Sequence, residues 1–226
     1  MSPYDRLLAV TAPDRAAFLA IPVIAEATRS GVPLAMYLDF LGQAYHHVKH
    51  TGALLSRAAA RCDDDHAWLQ EALLEYCEEE RGHELWILDD IAALGGDVQA
   101  ISNGQPRAPC ATMVRTAADS IDAHGPVPML GMIHVLEGIS VLLAEHAAAA
   151  IRRALGMPAS GKGFRYLTSH GALDRAHVAF FATLVNRLED PAAEAQLAHS
   201  ARTMYRLYGD IYRDIAARAI ESGRAA

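Results

Sequence analysis

Glycine and proline gather at a few breaks in this chain, and that spacing constrains the fold more than any other feature. The breaks include Gly31–Pro33, Gly95-Gly96, Gly104–Pro109, Gly125–Pro128, Gly156–Pro158 and Asp190-Pro191. A helix interior loses about 1 kcal/mol to a glycine and about 3 to a proline, so both residues collect where helices end. The stretches between are rich in Ala and Leu, and none alternates apolar and polar residues as a half-buried strand does. The chain reads as helices joined by short connections. Hydrophobic residues are 52% of its 226 residues and charged ones 21%, the balance of a folded core rather than a disordered segment.

Helix start and stop signals predict segments over Asp14–Arg29, Pro33–Ala60, His66–Leu94, Ala111–Ala123, Met129–Leu155, Phe164–Leu188 and Asp190–Ala219, with residues 97–111 as a loop. Neither a repeat nor a Pro/Gly/Ser-rich linker divides them, which predicts one all-α bundle domain over 1–226. The formal net charge is −7, so the bulk charge does not favour nucleic acid. No run of about 18 uncharged apolar residues exists, and the start MSPYDRLLAV lacks a basic n-region before a long apolar stretch. The expectation is a soluble cytoplasmic protein without a membrane partner. Cys62, Cys77 and Cys110 are too irregularly spaced for a disulfide framework and read as reduced thiols.

Three segments carry chemistry. His170, Asp174 and His177 follow i, i+4, i+7 spacing, which places them within roughly 60° on one helical face. Two imidazoles and a carboxylate there form a nitrogen and oxygen set suited to iron, manganese or zinc. A solvated polar face is the plain alternative, and the apolar Leu173, Val178, Phe181 and Leu184 around the triad favour an inward one. The second segment is Glu78-Glu79-Glu80-Arg81-Gly82-His83. Glu80 and His83 form Glu-x-x-His, the spacing by which bundle proteins project di-iron ligands. Glu79 points nearly the same way, so both glutamates stay open. Gly82 in mid-helix suggests close backbone packing. The third is Glu137, inside a nearly continuous apolar run from Val127 to Leu143, where a carboxylate is costly unless paired or metal-bound. His134 shares its face and reads first as a satisfied core histidine.

The order Glu-x-x-His, Leu-Glu-Gly and His-x3-Asp-x2-His resembles the heme-oxygenase-like di-iron oxidases and oxygenases, relatives of TenA and PqqC, over about residues 30–220. The resemblance implies a seven-helix heme-oxygenase-like bundle, a homodimer, and two Fe ions with O2 as co-substrate. Its metal ligands would be Glu80, His83, Glu137, His170, Asp174 and His177. Many members place a glutamate seven residues before the histidine; that position here is Tyr76, so Tyr76 would lie on the ligand face and Glu80 or Glu79 would substitute. His46, His47 and His50 sit where heme oxygenases carry a proximal histidine. His47 or His50 would instead hydrogen-bond a ligand carboxylate.

The implied activity is oxidation of a small, amino-acid-derived molecule by a non-heme di-iron enzyme, with an external electron donor or the substrate supplying electrons. The competing readings are a heme-binding or cofactor-independent TenA/PqqC-like enzyme and a non-enzymatic helical binding or regulatory protein.

Overall fold

The computed structural model describes residues 1–224, apart from the side chains of residues 170–176, 222 and 224. The helices are α1 (Pro3–Val10), α2 (Ala12–Leu19), α3 (Pro22–Arg29), α4 (Leu34–Val48), α5 (Thr51–Ala59), α6 (Ala67–Glu79), α7 (His83–Ala93), α8 (Val98–Asn103), α9 (Ala108–His124), α10 (Val127–Ala154), α11 (Arg165–Val185) and α12 (Pro191–Arg224). No strand occurs among the described residues. The all-α expectation holds, with the chain cut into more and shorter segments than seven.

Each added break has a local cause. The predicted helix Pro33–Ala60 is two helices, because His50 N donates to His47 O at i−3 and tightens the turn between α4 and α5. The predicted helix His66–Leu94 is also two. Glu78, Glu79 and Glu80 crowd the C-terminal end of α6, where the helix dipole disfavours anions. Gly82 then turns left-handed at φ 85° and starts α7. Gly82 does not serve close packing, since a Cβ there would meet nothing within 4 Å. Residues 97–111 are not all loop: Asp97 caps α8 by accepting from Ala100 N at 2.9 Å. Helix α9 begins at Ala108 instead of Ala111. Helix α1 falls outside the predicted segments, although Ser2, Pro3 and Asp5 spell a capping box with proline in the first turn.

Helix α10 is the axis of the bundle and packs on α3, α9, α11 and α12. It is long and apolar enough to cross a membrane by length and composition, yet 61% of its most apolar window is buried inside the fold. It comes close to α12 at Gly131. A Cβ on Gly131 would stand 2.4 Å from Ser200 Oγ and 2.6 Å from Ala201 N. Ser200 Oγ donates to Pro128 O at 2.7 Å across the same contact. Helix α11 starts on a buried anchor: both carboxylate oxygens of Asp90 accept from α11 backbone, Arg165 N at 2.9 Å and Tyr166 N at 2.8 Å. Burial pushes the Asp90 pKa above its ordinary value, and these two donors oppose that shift. The arrangement fixes the register of α11 against α7.

Candidate metal centre

Carboxylates and imidazoles of α6, α7, α10 and α11, with Glu80 at the α6–α7 break, form close pairs. His177 on α11 lies between two carboxylates, with its Nε2 3.1 Å from Glu79 Oε2 and its Nδ1 3.5 Å from Glu137 Oε1. The His177 and Glu137 side chains are 10% and 12% exposed, whereas Glu79 at 44% closes the site from the solvent side. At the α6–α7 break, His83 Nδ1 lies 3.2 Å from Glu80 Oε2, and both side chains are largely buried. The tight turn at Gly82 permits this pairing. It aims Glu80 and His83 at each other and leaves Glu79 to face His177. Glu79 and Glu80, open alternatives in the sequence, thus occupy separate positions and each meets a different imidazole.

Tyr76 is buried on the same face. Its Oη donates to His177 O at 3.3 Å and its ring meets the His177 ring edge-on at 5.7 Å. Glu80, Glu137, Tyr76 and His47 also line a cavity of about 150 Å³ whose remaining wall is mostly apolar. His47 on α4 sets its ring edge-on to Tyr208, 5.9 Å away. His50 lies outside that cavity wall, at the start of α5, and burial is the main cause of its lowered pKa. His170 and Asp174 lie outside the described residues.

His134 stands apart from the carboxylates. Its ring stacks on Phe181 at 5.8 Å, and Thr11 Oγ1 lies 3.5 Å from its Nε2. Burial, with a smaller push from Arg15, lowers its pKa to about 4. The unfolded chain, with an ordinary value near 6.5, binds the extra proton first. Stability from this residue is complete above about pH 6.5 and is lost as pH falls toward 4, by up to about 3 kcal/mol. Urea titrations across that window are expected to show the loss, and His134→Phe is expected to flatten it. An unchanged slope in the variant would contradict this assignment.

Sequence reasoning missed the aromatic wall of the cavity. Tyr208 and Tyr212 line it, and Tyr212 Oη donates to Tyr208 Oη at 3.0 Å. The available signal was Tyr205, Tyr208 and Tyr212, spaced i, i+3, i+7 along one face of α12.

The donor chemistry suits iron: carboxylate oxygens and imidazole nitrogens on an apolar, largely buried face. Donor atoms that share an ion at about 2.1 Å in octahedral geometry stand about 3 Å from one another, close to the spacings of the His177–Glu79 and His83–Glu80 pairs. Among the described residues no group of three or more His, Cys, Asp or Glu side chains converges on one ion position. The described donors therefore fit iron in kind and pairwise spacing, and form pairs.

Residues 38–209 match the family model Haem_oxygenas_2, described as iron-containing redox enzyme. The chain belongs to that family. No curated protein matches it by sequence. By fold, it resembles a domain of unknown function with a heme oxygenase-like fold from Shewanella denitrificans OS217, with TM-score 0.87 and 18% identity, covering 100% of this chain and 97% of that one. A TenA homolog from Pseudomonas syringae pv. tomato gives TM-score 0.79 at 10% identity, over 94% of this chain and 92% of the other. Heme oxygenase-1 from Synechocystis in complex with heme gives 0.74 at 12%, over 98% and 96%. At such identities the likeness shows the heme-oxygenase-like fold alone, and the family's iron-containing redox chemistry comes from the sequence match.

Proposed function

We propose that this protein is a non-heme iron oxidase or oxygenase that holds two Fe ions and uses O2 to oxidise a small molecule. The observation that carries the reading is His177 between the carboxylates of Glu79 and Glu137, next to the Glu80–His83 pair. The proposed ligands are Glu80, His83, Glu137, His170, Asp174 and His177, with Glu79 at the solvent side of His177. Reduction of dioxygen by ferrous iron is the chemistry that the metal supplies when bound. The chain's own residues do the rest. Tyr76, held to the α11 backbone, fixes the spacing of α6 and α11. The apolar wall excludes water, which strengthens the electrostatic interactions within the site. An amino-acid-derived substrate with an apolar side chain suits such a wall, with electrons from an external donor or from the substrate itself.

A heme-bound neighbour of the same fold and a cavity-lining His47 give the second reading, in which a porphyrin occupies this space. Against it, Glu80 and Glu137 line the cavity, and an apolar macrocycle would bury both carboxylates at its face. Parallel titration with ferrous iron and with hemin separates the two. The expected result is tight ferrous binding and only weak, His47-independent heme absorbance. A sharp Soret band that disappears in His47→Ala would replace the non-heme reading with the heme one.

A further inference from the structure

Helix α7 contributes Ile87, Leu88 and Ile91 to the apolar core, whereas Trp86 is not part of that core among the described residues. The indole is half-buried and lays its flat surface against His83 instead. The two ring centroids stand 4.0 Å apart at an interplanar angle of 33°, a close contact between tilted rings. His83 and Trp86 are i and i+3 in the opening turn of α7, so the stack forms within the element that starts at the left-handed Gly82. From α11, Arg165 sets its guanidinium over the indole, with Cζ 4.5 Å from the ring centroid. Arg165 N in turn donates to Asp90 of α7. The indole therefore touches both His83 on its own helix and the first residue of α11. The χ2 torsion of a histidine is broad and roughly two-fold, so an imidazole without a flat neighbour has a poorly fixed plane. An indole face removes the tilt but not the flip, because a flipped imidazole stacks equally well. Glu80 settles the flip, with its Oε2 3.2 Å from His83 Nδ1.

We propose that Trp86 is a positioning residue for the metal centre: it holds the plane of the His83 imidazole, and one of the two irons depends on it. The inference rests on the proposed ligand role of His83. Groups that orient a metal ligand typically change metal affinity by about 10- to 100-fold. An aromatic pair alone is worth about 2- to 10-fold, which places Trp86 at the lower end of that range. Arg165, with its side chain 54% exposed, matters less, and its loss is expected to cost about twofold.

The test takes two readouts on the full-length chain. In NMR spectra of the metal-free protein, the indole ring current is expected to shift the His83 ring protons upfield. Trp86→Leu is expected to return them toward ordinary histidine positions. Anaerobic ferrous titration is expected to show one iron weakened about tenfold in Trp86→Leu and the other unchanged. Trp86→Phe is expected to restore most of both readouts. Leucine keeps apolar bulk without a flat face, so the difference between the two variants reads the ring and not the packing. Unshifted His83 protons in the wild type, or Trp86→Leu and Trp86→Phe binding iron alike, overturn the inference. Wild-type protein that binds no iron overturns the functional reading, and the positioning role with it. Iron binding in the wild type that Trp86→Leu matches overturns the positioning role alone.

Discussion

Glu137→Ala is expected to weaken ferrous iron binding by at least about 100-fold while leaving the metal-free fold intact. Groups that only support a metal ligand typically change affinity by about 10- to 100-fold, and a direct ligand has more to lose. The carboxylate sits in the long apolar helix α10 with its side chain 12% exposed. In the metal-free protein the carboxylate lies 3.5 Å from His177 Nδ1, a contact that the substitution also removes. Thermal melting of metal-free Glu137→Ala is expected close to the wild-type temperature, whereas iron titration shows the loss. A variant that melts much lower and binds iron normally would make Glu137 a structural residue.

Gly131→Val is expected to act in the opposite way, destabilising the fold by about 3 kcal/mol or more through overpacking. The obstacle is partly backbone, since a Cβ at Gly131 falls 2.6 Å from Ala201 N and only part of the clash is with the movable Ser200 hydroxyl. The side chain would also press on the Ser200–Pro128 hydrogen bond that ties α12 to α10. Gly138, two turns further along α10, is the matched contrast. A Cβ there meets nothing within 4 Å. Gly138→Ala is expected to be neutral or to stabilise by up to about 1 kcal/mol through helix propensity. Urea denaturation of the two variants measures both effects, and a similar midpoint for both would refute the close α10–α12 contact.

The helical class and the long elements α10, α11 and α12 were legible because their apolar periodicity runs for many turns between strong breaks. The breaks inside 33–60 and 66–94 were not. Nothing in Tyr45–His50 marks a turn by composition, and tertiary packing decides it. At Glu80–Gly82 the signal was present, three acidic residues at a helix end followed by glycine, but a periodic apolar pattern on both sides masks it. The same break explains why the sequence left Glu79 and Glu80 as alternatives. On one continuous helix they compete for one direction, whereas a left-handed Gly82 separates them. Glu137 was legible because a carboxylate within an apolar run is tolerated only beside a cation, a hydrogen-bond donor or a metal. The Tyr208 and Tyr212 wall was not, because tyrosines at helical spacing are ordinary core residues until a cavity stands in front of them.

The most direct test of the iron reading is metal stoichiometry after anaerobic loading with ferrous iron and removal of the excess. About two irons per chain are expected in the wild-type protein, and fewer in Glu137→Ala and His177→Ala. Wild-type protein that retains no iron, or both variants retaining as much as the wild type, would contradict the iron reading.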